Sequence, residues 1–395
     1  MNYILPNEAH TVWTIMIVLY PYITGLVAGA FILSSLYHVF GRKELKPVAR
    51  FSLVAAFAFL LFASVPLLFH LGHPERAFNI MITPHFSSAM AGFGFIYSTY
   101  LIVVALEIWF VFRGDFIRRA RGPGLIGLLC RLIVLGNLEE TDGSRAADHK
   151  ISNFLAAWGI PHACLLHGYV GFLFGSIKAN IWWSTPLMFV IFIFSAIVSG
   201  IALLITGYMT LVWLKRWEVD QPCMRTMGSF LWGFMIFAVG LELLEVLFLA
   251  YQQTEHWTVL SKLITQQLVV SYVLLQLVVF SMVPFLLLAS VVLFKVGDKL
   301  RNNLTWIASA MLLVQVLLMR WNVVVGGQLL SKSDHGFTTF HLEVGGREGL
   351  IVATGIMLAP FVVMWVFNKI VPIFPDMAAK PVSGAAPYVI RPPAR

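Results

Sequence analysis

Residues 122–138 read GPGLIGLLCRLIVLGNL, and whether they cross a membrane decides on which side every later loop lies. Membrane is the right setting. Apolar residues make up 59% of the chain and charged residues 12%, with a mean hydropathy of +0.84. A soluble domain carries roughly twice that charge. A bilayer core needs about 20 apolar residues per helix, with slack for tilt. Nine other runs meet this, at about 11–40, 48–71, 87–112, 154–177, 185–214, 227–251, 268–295, 304–330 and 349–371. Clusters such as GRKELKP at 41–47, GHPE at 72–75, WWSTP at 182–186 and KVGDKLR at 295–301 separate them.

Lysine and arginine placement settles the tenth run. If 122–138 does not cross and the N-terminus lies outside, 21 of 27 basic residues fall on the cytoplasmic side. Five then lie opposite (Arg76, Lys178, Lys262, Lys332 and Arg347), and Arg320 lies inside a span. That is the asymmetry of the positive-inside rule. If the run crosses, 12 basic residues face 13 and the asymmetry vanishes. The segment therefore reads as an interfacial or re-entrant cytoplasmic helix.

The expected fold is an all-α integral membrane protein of about nine transmembrane helices, arranged as two tandem four-helix bundles plus a C-terminal helix. Residues 1–180 form the first bundle, with a cytoplasmic interfacial segment at 113–153. Residues 181–331 form the second, and 332–395 the last helix and a cytoplasmic tail. Short loops make neighbours antiparallel. Gly25 and Gly29 form a GxxxG pair, and Ser195, Ser199 and Gly200 offer small contacts. The halves share faint sequence similarity, and the tail after Pro372 has the Pro/Ala composition of an extended segment.

Several classes drop out. The net charge is +8, but no basic stretch is interleaved with exposed aromatics, so no nucleic-acid partner is expected. Cys130, Cys164 and Cys223 stand far apart with no CxxC or CxxCH spacing, so there is no local iron–sulfur, zinc or covalent haem motif. The opening MNYILPNEAH is not basic, and the first apolar run is too long for a signal peptide. The pairs Gly326–Gly327 and Gly345–Gly346 lack the strand–turn–helix setting of a nucleotide loop.

Ionisable residues inside hydrocarbon need a partner or a purpose, and here they gather in the outer half. Glu242 and Glu245 lie on one face of the sixth span. Arg320 and Asn322 share their depth on the eighth, with Gln328 farther out. His167 and Tyr169 sit at and beyond the middle of the fourth. His70, His73, Glu75 and Arg76 close the second, Tyr20 lies in the outer half of the first, and Glu348 opens the ninth. One reading of Glu242, Glu245 and Arg320 is an interhelical ion pair that fixes packing. The other is proton transfer, because two acids against one base leave a carboxyl free to hold a proton. His162 and His167, five apart, do not present two ligands to one metal, and metal ligands are not expected.

Four stretches resemble the NrfD-type family, the quinone-interacting membrane subunits typified by polysulfide reductase. They are WTIMIVLYPYITGLVAGAF at 13–31, FHLGHPERAFNIM at 69–81, AWGIPHACLLHGYVGFLFGSIKAN at 157–180 with the span that follows, and RWNVVVGGQ at 320–328. They span roughly residues 10–370, and the length is similar to the larger DsrP-like and HybB-like branch. The resemblance implies a quinone-binding subunit of a multi-subunit respiratory oxidoreductase, non-catalytic alone, in the inner (cytoplasmic) membrane of a prokaryote. It implies menaquinone or ubiquinone bound near the outer face, no haem or iron–sulfur cluster in this chain, and an extracytoplasmic ferredoxin-like iron–sulfur partner beside further redox subunits. It carries the quinone role onto Tyr169 and His167 within HGY, onto His70, His73 and Arg76, and onto Tyr20. Glu242, Glu245 and Arg320 would then exchange protons. Two other classes stay open. A secondary transporter calls for matched, broken helix pairs, and Pro66, Pro161 and Pro284 are not matched. A b-type haem anchor calls for facing histidines, and His38, His70, His162 and His167 form no clear pair.

Overall fold

The computed structural model describes residues 10–85, 87–253, 255–331 and 336–375. Among them the chain is helical, with only two isolated bridges, His10 to Thr339 and Leu330 to Phe337. In order the α-helices are α1 (Ile15–His38), α2 (Lys46–Ala63), α3 (Val65–His70), α4 (Asn79–Ile82), α5 (Ala89–Ala120), α6 (Gly124–Ile133) and α7 (Asp142–Gly175). There follow α8 (Leu187–Lys215), α9 (Gln221–Gln252), α10 (Glu255–Lys262), α11 (Val283–Leu293), α12 (Asp298–Trp321) and α13 (Leu350–Ile370). Wider π-helical turns occupy Leu263–Gln267 and Val269–Met282, ahead of α11, and Asn322–Gly326, which continues α12.

Among the described residues eight helical stretches are long and apolar enough to cross a membrane. Helix α7 is not one of these eight, because polar residues such as His162 and His167 dilute its apolar content. Its 34 residues, about 51 Å at 1.5 Å per residue, nevertheless pack along α1, α5 and α8. By position it corresponds to the span expected at 154–177. Helices α5 and α7 also extend farther than the expected spans. The connection between them shrinks to α6 and two short loops, and a reciprocal Thr141–Ser144 cap starts α7.

Segment 122–138 holds no helix long enough to cross. Helix α6 has ten residues, about 15 Å, which is half a bilayer core. Arg131 donates to the Ala120 carbonyl at 2.7 Å, while Leu125, Leu128, Leu132 and Leu135 are exposed. This is the pattern of a helix lying in the interface.

Helix α1 sits at the centre, flanked by α2, α7, α8 and α12, and 20 of its 24 residues are buried. A helix apolar on all sides belongs in such a place. It meets α8 backbone to backbone, for a Cβ on Gly29 would overlap the Ala196 carbonyl and one on Gly200 would overlap Gly29. Gly25 serves differently, leaving room for the His167 ring. Helices α1, α2, α5 and α7 pack together, as do α8, α9, α11 and α12, and α13 lies against α2 and α1. The break between α2 and α3 falls at Ser64, two residues before Pro66, whose ring cannot continue the hydrogen-bond ladder.

The two ends of the helices differ. One, the basic face, gathers Arg50 and Arg118 on Asp115, Arg113 on Asp148 at 2.9 Å and Arg225 on Asp298 at 2.9 Å. The other, the N-terminal face, carries the start of α1, the ends of α3 and α7 and the start of α13.

Candidate functional site around residues 320–328

Near the N-terminal face, α12 loosens into the π-helical turn Asn322–Gly326, and the side chains of Arg320, Asn322 and Gln328 each reach a partner on another element. π-Helical turns inside longer helices recur at functional sites.

Arg320 is fully buried. Its Nη2 donates to His167 Nε2 at 2.9 Å and to Ser195 Oγ at 2.6 Å, and its Nη1 to Met319 Sδ at 2.8 Å. The guanidinium lies 3.9 Å from the centre of the Phe192 ring. Arginine has no acceptor, so Nε2 of His167 accepts and the ring proton sits on Nδ1. From there it donates to Thr24 Oγ1 at 3.2 Å, and Thr24 in turn donates to the Tyr20 carbonyl at 3.0 Å. Four helices thus close on one cation. The anticipated ion pair is not what holds it, because among the described residues no carboxylate lies within 4.0 Å of Arg320. Glu242 acts on it only from longer range.

On the other side of the same turn a polar chain runs from Asn322. Its Nδ2 donates to Gln276 Oε1 at 2.8 Å, and Gln276 Nε2 donates to Glu242 Oε2 at 2.8 Å. Ser271 Oγ donates to Asn322 Oδ1 at 2.7 Å. Glu242 Oε1 has no partner among the described residues. Glu242 lines a cavity of about 40 Å³ with Glu245, Tyr272, Gln276, Asn322 and Trp182. That volume holds about one water molecule.

Two tryptophans roof the turn. Trp182 Nε1 donates to the Asn322 carbonyl at 3.0 Å and Trp183 Nε1 to the Val323 carbonyl at 2.6 Å. Trp183 passes where a Cβ on Gly327 would stand, so the glycine is required by close approach. Above the roof, Trp13 stacks on Trp183 with ring centres 5.1 Å apart. Asn180 Nδ2 donates to the Gly327 carbonyl at 2.8 Å, and the Trp13 N–H donates to Gln328 Oε1 at 2.8 Å. These residues, with His10 and Thr338, wall a vestibule of about 510 Å³. A second space of about 230 Å³ shares His10 and Trp13 with it, and Thr14 and Glu348 line this one.

The other anticipated residues fall in separate places. Tyr169 is half-buried and donates to the Ala89 carbonyl at 2.7 Å, on the α5 side of α7. Two residues along a helix turn by about 200°, so it faces away from His167. Tyr20 is buried edge-on to Phe93, and its hydroxyl has no partner among the described residues. His70 Nδ1 lies 2.6 Å from Glu348 Oε2, which also accepts from Thr14 Oγ1 at 2.7 Å. His73 and Glu75 pair at 2.9 Å on the exposed rim, where Arg76 is exposed too. Glu245 is half-buried.

Comparison with known proteins identifies the lineage. The model of polysulphide reductase, NrfD, matches residues 5–331. The chain belongs to the NrfD family. This NrfD-family chain is 31% identical over 254 residues to a selenate reductase subunit of Mesobacillus selenatarsenatis, covering 63% of the chain and 59% of that protein. It is 26% identical over 231 residues to a putative dimethyl sulfoxide reductase membrane subunit of Halobacterium salinarum, covering 58% and 50%. It is 24% identical over 320 residues to the Hdr-like menaquinol oxidoreductase integral membrane subunit of Archaeoglobus fulgidus, covering 80% and 71%. The chain thus matches less than two thirds of the length of the first two.

Gln276, Ser271, Tyr272, Asn180 and the two tryptophans were missed in the sequence. Gln276 had a usable signal, as the one amide in VVSYVLLQLVVFSM, where hydrocarbon tolerates polar groups only with a partner. Glu107 had the same signal in VALEIWF and was also missed.

Proposed function

We propose that this chain is the quinone-reactive membrane subunit of a respiratory oxidoreductase complex. It exchanges electrons between the menaquinone or ubiquinone pool and an iron–sulfur partner docked on the N-terminal face. The observation that carries the reading is the 320–328 turn, which places a tryptophan-walled vestibule, a buried cation and a carboxyl-lined cavity within a few residues of one another. A relative named as a menaquinol oxidoreductase subunit supports the same reading.

The residues fit a quinone headgroup. Ligand sites are mostly apolar spaces of about 300–1,000 Å³ with a few placed polar groups. The vestibule offers the Trp13 and Trp183 faces, and Asn180 keeps one amide hydrogen after bonding Gly327. A bound quinone supplies two-electron, two-proton chemistry. Asn180 and Gln328 orient the ring from the side of the turn, and the tryptophans keep water from the buried interior. Glu348, shared by His70 and Thr14, is placed to pass protons at the face. Glu242 and Glu245 hold protons at the inner cavity, and Arg320 biases that region electrostatically. On this reading Tyr169, His73 and Arg76 act at the seam and rim rather than on the headgroup. The N-terminal face is extracytoplasmic, and the basic face lies in the cytoplasm.

The test is quinol-linked turnover and quinone content of the assembled complex carrying Asn180→Leu or Gln328→Leu. A raised KM for quinol with intact assembly is expected. Unchanged KM and quinone content in both would remove the headgroup from this vestibule.

A further inference from the structure

Far from the 320–328 turn, α5 carries a carboxyl with no partner. Glu107 is fully buried, and neither of its oxygens meets a hydrogen-bond donor among the described residues. Burying an ionised carboxylate without donors is so unfavourable that such a group is held neutral. It is a poor packing choice, since leucine would fill the space at no such cost. Unpaired acids inside membranes belong by default to functional sites.

Its surroundings supply a route. One turn along α5, about 6 Å by helical rise, Val111 lines a vestibule of about 680 Å³ at the basic face, with His38, Arg50, His149 and Asp220. His38 Nε2 is buried there without a partner among the described residues. In the other direction, two turns away on the same side of α5, the fully buried Tyr100 also has an unpartnered hydroxyl. It lies within electrostatic reach of Glu107 and of Cys164 on α7. Tyr100 packs against the His162 ring at 5.3 Å and Phe31 at 5.5 Å. Two ion pairs tie α5 to its neighbours toward the basic face, Arg113 of α5 with Asp148 of α7 and Arg50 of α2 with Asp115 of α5.

We propose that Glu107 is a proton-carrying carboxyl loaded from the basic-face vestibule, the inner end of a proton path through α1, α5 and α7 with Tyr100 as its next member. The step is transfer of a proton only: the carboxyl O–H bond breaks toward water or the Tyr100 side and re-forms from the vestibule. No electron moves. The path is separate from the quinone reading, and its test separates the two.

The experiment uses the assembled complex in proteoliposomes, as wild type, Glu107→Gln, Glu107→Asp and Val111→Phe. Infrared spectra of wild type minus Glu107→Gln should show a protonated-carboxyl C=O band that shifts on transfer to D₂O. This readout needs no quinone. Proton uptake from the basic face during turnover should fall at least about tenfold in Glu107→Gln, as for loss of a positioned proton donor. It should fall in Val111→Phe and persist in part in Glu107→Asp. A missing band, a band that does not shift in D₂O, or uptake unchanged in Glu107→Gln and Val111→Phe would overturn the proposal. Absent quinol turnover in the wild type would instead count against the quinone reading and leave the infrared result standing.

Discussion

Replacing His167 by leucine should destabilise the protein through Arg320. The substitution removes the acceptor of a charge-assisted hydrogen bond of 2.9 Å and the donor of a neutral one of 3.2 Å to Thr24. Bonds to charged groups contribute about 1.5–3 kcal/mol and neutral ones about 0.5–1.5 kcal/mol, so a loss of about 2–4.5 kcal/mol follows. Ser195, Met319 and the Phe192 face still hold the guanidinium, which keeps the loss below that for fully stranding a buried charge, about 3–5 kcal/mol. Unfolding of the purified chain in mixed detergent micelles reads this directly. His167→Gln, whose carbonyl oxygen can accept from Nη2, should recover a large part. The decisive variant is the double Arg320→Met/His167→Leu. Removing both members leaves no buried charge, and such replacements are often neutral or stabilising. The double variant should therefore be more stable than His167→Leu alone. Additive losses, with the double the least stable of all, would refute the idea that His167 serves chiefly to hold Arg320.

Three further outcomes are expected. Glu242→Gln and Glu245→Gln keep shape and leave Gln276 an oxygen to bond, so at least one should give a stable, assembled subunit with much slower quinone turnover; unchanged turnover in both singles and the double leaves only a packing role. Gly327→Ala places a Cβ on Trp183 Nε1, so the indole must leave the Val323 carbonyl, at about 1–3 kcal/mol for a lost buried partner, with altered tryptophan fluorescence as the readout; a native spectrum and native stability would contradict the packing. Reporter fusions after Arg395 and within 336–346 should report cytoplasm and exterior respectively, and the reverse pattern would exchange the two faces.

How much of this was legible in the sequence follows from what each signal measures. Apolar run length and lysine–arginine bias report on the bilayer, a uniform solvent, so the helix inventory and the non-crossing 122–138 segment could be read without contacts. Helix α7 was found for the same reason, although its histidines lower its hydropathy. The burden on Arg320 was legible only as a need, since charge in hydrocarbon must be met by something. Which group meets it depends on how α1, α7, α8 and α12 rotate about their axes, and a one-dimensional pattern carries little of that. An acid was the natural guess for a partner; a neutral histidine, a serine and a ring face hold the cation instead. Tyr169 shows the same gap. The roughly 200° that separates it from His167 places it on another seam.

The substitution of dipoles and a ring for a carboxylate around Arg320 bears on mechanism. A directly paired arginine would have its field cancelled within a few ångströms, and Glu242 would be its fixed counter-ion. Here the charge is held by groups that stabilise it without neutralising it, so its field still reaches Glu242 across the low-dielectric interior. Glu242 is in turn bonded through Oε2 by Gln276, with Gln315 beside it, and it lines a cavity that admits about one water molecule. On the proposed function, a carboxyl in that position exchanges its proton without breaking an ion pair. The π-helical turn makes this possible. It turns the Asn322 and Val323 carbonyls toward the two indoles while the side chains of Arg320 and Asn322 point into different compartments. The site is thus one helix end around which a vestibule, a fixed charge and a carboxyl-lined cavity gather.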